Sequence, residues 1–238
     1  MKKSNLTNFI KKYHLDGLID SVKLQSDGKD VIVKFTSDDK TIIGAVQLAD
    51  VKLPEAEFGI NTTSNLLKIL NSHEEEVELD LAKHGDKFRS INLADKDLKS
   101  TYILADPDVI INKAGIPKNL PPFEVELDMD KVLMEKYLKA YSALAISNVA
   151  LSVEGNNINF IIGHSQNNTN RMTLTRELKS TTKMDLLNFS SESIKKIFTA
   201  NKDFDDGVML LSSAKLLKFR FRTKDIVCEY YVVPFVND

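Results

Sequence analysis

The sequence predicts an α+β chain of two similar domains, each with two helices packed on antiparallel sheets. Three observations predict it. Short alternating apolar runs are joined by turn residues, only four segments have helical periodicity, and a shift of 128 positions lays one half of the chain on the other. Alternation with period two marks half-buried strands, and apolar residues at i, i+3 and i+4 mark a helix.

In chain order, Leu6, Phe9, Ile10 and Tyr13 mark the first helix. Runs at 22–25, 31–35 and 42–46 follow, joined by Ser26-Asp27-Gly28 and Ser37-Asp38-Asp39-Lys40, and read as antiparallel hairpins. Leu66, Leu67 and Leu70 mark a second helix after Thr62-Thr63-Ser64, a capping sequence. Strand runs at 77–81, 88–93 and 102–104 come next. A longer third helix carries Leu133, Tyr137, Leu138, Tyr141 and Leu144 after Asp128 or Asp130. Runs at 149–153, 158–162, 172–178 and 184–189 lead to a fourth helix with Ile194, Ile197 and Phe198, preceded by Ser190-Ser191-Glu192. Runs at 208–211, 216–221 and 226–233 complete the chain.

Adding 128 maps Leu6 onto Met134, Phe9 onto Tyr137, Ile10 onto Leu138, Lys11 onto Lys139 and Tyr13 onto Tyr141. The same shift maps Leu66 onto Ile194, Lys68 onto Lys196, Ile69 onto Ile197 and Leu70 onto Phe198. One shift serving two separate helices points to two copies of one domain. Between them Pro107, Gly115, Pro117, Pro121 and Pro122 block continuous helix or central strand, so this stretch reads as an extended linker. The expected domains are therefore 1–106 and 123–238, with a connector at 107–122.

The 238 residues are 42% apolar and 28% charged, which suits a chain with real cores rather than disorder. Cys228 is the one cysteine, so no internal disulfide can form and a reducing compartment is expected. Met1-Lys2-Lys3-Ser4 is followed by no long apolar stretch, so neither a signal peptide nor a membrane span is expected and the cytoplasm is the expected location.

Net charge is −2, yet its distribution is uneven. The helices carry Lys2, Lys3, Lys11 and Lys12, then Lys68, then Lys131, Lys136 and Lys139, then Lys195, Lys196 and Lys202, and of these Lys2 and Lys202 are left out of the expected DNA-facing set. Acids on the same segments are few, and Glu135 and Glu192 are the two that weaken a positive face. Lysine is also a good helix former that solvates an outer face. Its recurrence at Lys11/Lys139 and Lys68/Lys196 favours the other reading, a sequence-independent attraction to phosphates.

From Ser100-Thr101-Tyr102 through Ala105-Asp106-Pro107, across the connector to Pro122-Phe123, and on to Asn148-Val149-Ala150-Leu151-Ser152-Val153-Glu154-Gly155, the chain resembles the DNA sliding clamps. The particular resemblance is to the clamp of T-even-type bacteriophages, a relative of proliferating cell nuclear antigen. It implies the DNA-clamp fold, assembled as a homotrimeric ring whose helices face duplex DNA. It also implies an ATP-dependent clamp loader and a DNA polymerase as partners. At the matching positions, Ser100, Tyr102 and Leu104 would join Met172, Leu174 and Arg176 of a neighbouring subunit. Val109, Ile110 and Ile111, with Val233, Pro234 and Phe235, would seat a partner's apolar peptide.

No catalytic chemistry is expected. His14, His73, His84 and His164 lack metal-ligand spacing, and His73-Glu74-Glu75-Glu76 reads as a charged turn. The segment 201–212 fails as a calcium loop because its glycine is one place late and Ser212 stands where glutamate is required. No phosphate loop or nucleophile elbow occurs, and no cofactor or metal is called for. The alternative is a structural oligomeric β-rich phage virion or tail protein, which accounts for the strands but not for the repeated lysines.

Overall fold

The computed structural model describes residues 2–110, 115, 119–164, 170–179 and 183–234. The first copy runs α1 (Lys3–His14), β1 (Val22–Ser26), β2 (Val31–Thr36), β3 (Ile42–Leu48), β4 (Ala56–Ile60), α2 (Thr63–Asn71), β5 (Glu78–His84), β6 (Lys87–Ala94) and β7 (Lys99–Ile103). After β8 (Val125–Asp128), the second runs α3 (Lys131–Leu144), β9 (Asn148–Glu154), β10 (Asn157–Ile162), β11 (Met172–Glu177), β12 (Met184–Ser190), α4 (Ser191–Ala200), β13 (Asp206–Ser212), β14 (Leu216–Arg222) and β15 (Ile226–Val232). The order α-β-β-β-β-α-β-β-β thus occurs twice. Helix starts Lys3 and Lys131, and Thr63 and Ser191, each stand 128 apart.

Strand order repeats as well. β4-β1-β2-β3 in the first copy corresponds to β12-β9-β10-β11 in the second, and β5-β6-β7 to β13-β14-β15. β8 pairs antiparallel with β13. The chain divides into two compact units, one of Met1–Ser37, Gly44–Ile116 and Asp225–Val227, the other of Asp38–Ile43, Pro117–Lys224 and Cys228–Asp238.

All four helices lie where the periodicity places them. Two strands, β4 and β8, are missing from the expected set, although Val125-Glu126-Leu127-Asp128 of β8 does alternate. β8 is only four residues long and follows Pro121-Pro122. β4 contains Gly59, where a side chain has no room: an added Cβ would lie 2.5 Å from the Ala105 carbonyl oxygen. That closeness pins the exit of β7, because Ala105 N–H donates to the Gly59 carbonyl at 2.9 Å. The connector, expected to be extended, opens with a 3₁₀ turn at Pro107–Val109, in which Asp106 accepts from Asp108 N–H.

In each unit, helices and strands bury one face. In the first, Phe9, Ile10, Tyr13, Leu66 and Leu70 are buried, as are Val31, Val33 and Phe35 of β2. In the second, Leu133, Tyr137, Ile194, Ile197 and Phe198 are buried with Leu151, Phe160 and Phe219. There Phe198 meets Tyr137 and Phe219 edge-on at 5.1 and 5.3 Å between ring centroids. Such a geometry sets a positive ring edge against a negative ring face.

One hydrogen bond recurs at the same place in both units. The first N–H of the second helix, an orphan donor by helix geometry, bonds the loop that follows the first helix. Thr63 N–H reaches the Asp20 carbonyl at 2.7 Å, and Ser191 N–H reaches the Ser147 carbonyl at 2.9 Å. Capping differs in detail. Asp130 accepts from Leu133 N–H on α3, and Ser190 from Ser193 N–H on α4. Thr62, the expected cap of α2, makes no such bond; Asp20 accepts from Ser64 N–H at 2.8 Å instead. At the start of α1, Ser4 donates from backbone and hydroxyl to Glu75, whose carboxyl is thereby held below the usual carboxylate range.

His73 is not the exposed turn residue its acidic neighbours suggest. Its ring is fully buried, with Nδ1 2.8 Å from Asp95 Oδ2 and Nε2 2.6 Å from Ser100 Oγ. Asp95 accepts from Glu74, Leu98 and Asp97 N–H groups as well, and Glu74 N–H is the strongest influence holding its carboxyl well below the usual carboxylate range. These bonds tie the end of α2 to β7. Tyr102 of β7 adds a second tie, its hydroxyl accepting from Thr62 N–H at 3.1 Å and donating to the Thr62 carbonyl at 3.2 Å.

Two outcomes follow for stability. H73A should lower the unfolding free energy in urea by about 2 kcal/mol, and Y102F by about 1 kcal/mol, because each leaves part-buried polar partners without their hydrogen bonds. Asp95 ionises more readily folded than unfolded, so its contribution is present above about pH 4, the unfolded carboxyl range, and is lost as pH falls further. D95N should therefore be less stable than the parent at pH 7, and urea midpoints should show the gap narrowing below about pH 4. A constant gap from pH 7 to pH 3 would contradict this account.

Candidate nucleic-acid interface

The helical lysines follow from the stripe each helix buries: what lies opposite Phe9, Leu66, Tyr137 or Ile197 is left to solvent. Lys11, Lys68, Lys131, Lys136 and Lys139 are exposed. Lys3 is half-buried and its ammonium donates to the His73 carbonyl, which ties it to the end of α2. Lys195 and Lys196 are also half-buried, and Lys196 Nζ lies 3.6 Å from Glu192 Oε1, one helical turn back. The acid that the sequence flags on the fourth helix therefore does draw off part of its charge.

Lys12 must be corrected. It is 1% exposed and ranks among the largest fully buried side chains. It stands three residues after Phe9 and next to Tyr13, on the flank of the buried stripe. Counting lysines per helix does not separate such a position from Lys11 beside it.

The second unit gathers its cations most densely. Lys131, Met134, Glu135, Leu138, Lys139 and Ser142 of α3, with Lys202 and Phe204 after α4, line a cleft of about 460 Å³. Lys131 Nζ lies 5.7 Å from the Phe204 ring centre. Glu135 is the only acid in that lining. Lys202, which the sequence groups with the lysines of the fourth helix, lies beyond the end of α4, and so does Phe204, which no helical pattern marks.

Of the six residues expected at a subunit junction, five lie on two strands with a shared property, and Leu104 directly follows one of them. β7 is the outer strand of β5-β6-β7, and β11 is the outer strand of β11-β10-β9-β12. Each offers backbone donors and acceptors along one open side. The side chains need correction, however. Tyr102 and Leu104 are buried inside the first unit, and Ser100 is bonded to His73. On β7 the outward positions are Lys99, Thr101 and Ile103, the last 70% exposed. On β11, Met172 is exposed and Leu174 half-buried, while Arg176 Nε reaches Asp130 Oδ2 at 3.4 Å. Asp130 thus caps α3 and holds β11 at once.

Of the residues expected in a partner pocket, Val109 is 67% exposed and Val233 is 38% exposed. Ile110 is buried, at 6%, so it anchors the connector rather than receiving a ligand. Pro234 is half-buried. Ile111 and Phe235 lie outside the described residues. Lys87 fixes the connector's first turn by pairing with Asp106 at 2.6 Å, which holds that carboxyl below the usual carboxylate range.

No protein-family model matches the sequence, and no curated relative does. Solved structures resemble it over its whole length. Proliferating cellular nuclear antigen from Entamoeba histolytica superposes with a TM-score of 0.78 at 16% identity, covering 99% of this chain and 96% of that one. The A. fulgidus PCNA in complex with the C-terminal region of FEN-1 gives 0.78 at 14% identity, covering 100% and 98%. The PCNA2-PCNA3 complex from Sulfolobus tokodaii gives 0.75 at 12% identity, covering 98% and 97%. At such identities the likeness establishes architecture: this chain has the α+β fold of the PCNA clamps from end to end.

Proposed function

We propose that this protein is a DNA sliding clamp, a processivity factor that encircles duplex DNA, tethers a polymerase and catalyses nothing itself. The observation that carries the reading is a full-length clamp fold in which the exposed faces of α1, α2 and α3 bear lysine, at Lys11, Lys68, Lys131, Lys136 and Lys139. Lysine–phosphate attraction is blind to sequence and weakened by salt, which suits a grip that must slide.

The finer reading is a homotrimer of the T-even bacteriophage type, working in the host's cytoplasm. β7 of one subunit would pair with β11 of the next, and three such junctions would close a ring and leave neither edge open. Exposed Ile103 and Met172 support this, being large apolar side chains on open edge strands. Retention on DNA would be topological, since a closed ring leaves only by opening. Opening and reclosing would fall to a separate ATP-dependent clamp loader. Loader and polymerase would compete for an apolar peptide site, for which Val109 is an exposed candidate. The A. fulgidus clamp holding the C-terminal region of FEN-1 is a precedent for peptide docking on this fold.

Sedimentation equilibrium well above micromolar concentration should give three times the 26.8 kDa chain mass. A strict monomer under those conditions sinks the ring. Charge reversal at Lys11, Lys68 and Lys139 should leave the thermal melt unchanged and lower processivity in clamp-dependent synthesis. It should also flatten the log–log salt dependence of DNA binding by about one unit for each phosphate no longer neutralised. Unchanged processivity would remove these helix faces from the DNA. The absence of any salt-sensitive DNA association would instead favour a structural virion or tail protein.

A further inference from the structure

The two copies differ in burial at several matched helix positions, and one of these, Leu138 against Ile10, lies in the cleft on α3. Leu138 and Tyr141 are half-buried, whereas their counterparts Ile10 and Tyr13 on α1 are 1% and 0% exposed. The cleft has an apolar floor in which Leu138 is half-buried and Met134 and Phe204 are 2% and 4% exposed, a rim of Lys131, Lys139 and Lys202, and two side chains that can accept, Glu135 and Ser142.

A duplex offers such a cleft phosphates and sugar edges but no base face, because its bases are stacked inside. The rim alone would serve that role, and the floor would meet no base. An unpaired nucleotide offers both parts: an anionic backbone for the three ammonium groups and an apolar base face for the floor, with a base N–H, such as thymine N3–H, within the chemistry of Glu135. Combining a cationic track with apolar or aromatic platforms is the general solution for single strands. From this complementarity of charge and polarity, we propose that the α3 cleft is a seat for unpaired DNA, taking a nucleotide at a single-stranded stretch or frayed end while the duplex occupies the remaining helix faces. The inference rests on the reading that α3 faces DNA.

The test uses the full chain and two fluorescein-labelled probes read by anisotropy at one low salt concentration. One probe is an oligothymidylate of about ten nucleotides, within the usual span of a single-strand site. The other is a blunt hairpin with the same number of phosphates. L138Q should weaken oligothymidylate binding about tenfold, as expected when one base loses its apolar platform, and leave the hairpin unchanged. L138M should restore the parent affinity, which separates loss of the seat from loss of the fold. K139E should weaken both probes. If L138Q leaves the oligothymidylate unaffected, or weakens both probes alike, the cleft holds backbone only and the inference falls while the clamp reading stands. If the parent chain binds neither probe, the reading of α3 as a DNA face falls first and takes the cleft with it.

Discussion

A single backbone hydrogen bond, made once in each unit, sets the geometry on which the rest depends. The first N–H of the second helix bonds the carbonyl of the loop after the first helix, Thr63 to Asp20 and Ser191 to Ser147. Helix geometry leaves that N–H without a partner inside its own helix, so something must accept it. Using the neighbouring loop as acceptor makes the start of one helix depend on the end of the other. In the first unit Asp20 extends the tie, accepting from Ser64 N–H and lying 3.3 Å from His14 at the end of α1. With both apolar stripes buried, the polar faces of the pair have only solvent left to meet. The lysine faces are thus a consequence of how each pair is fastened.

The parts of this arrangement that are legible in the sequence are those written in a local period. Each helix is readable because an apolar residue recurs every third or fourth position, and the duplication because two helices share one offset. β4 is hidden because Gly59 answers a packing demand made by Ala105, a residue far along the chain, and carries no hydrophobic signal. Lys12 misleads because burial at a stripe's flank depends on what packs there, not on the residue's charge. Ser100, Tyr102 and Leu104 belong to the expected strand but to its inner side. Thr101 and Ile103 alternate with them, and either set has an apolar member, so period two alone leaves the face undecided. The role of His73 has no sequence signal at all, since its partners Asp95 and Ser100 come together only through the fold.

The two open edges bear on why such a chain would assemble. Strand edges with exposed apolar residues are aggregation hazards that proteins ordinarily blunt with charge, proline or cover. β7 does carry Lys99 outward, yet Ile103 remains 70% exposed on the same strand. β11 is anchored rather than blunted: Arg176 ties it to Asp130, and Thr175 bonds Asn159 of β10. A strand fixed in place with its outer side open is better suited to pairing with another strand than to avoiding one. Closure of such edges between copies turns the hazard into the means of assembly.

On the proposed function, a ring would also resolve the apparent conflict between a net charge of −2 and a polyanionic ligand. A protein that holds DNA by affinity must neutralise many phosphates, and each one neutralised makes release and movement more costly. A protein that holds DNA by topology needs only enough local positive charge to centre the duplex, so acids are free to occupy strands and turns elsewhere. Weak cations then become an advantage, because screened and interchangeable attractions let the duplex slide past. On this argument the pairing of Lys196 with Glu192 and the tether on Lys3 are no defects in a binding face. They trim an attraction that, if strong, would stop the motion a clamp exists to permit.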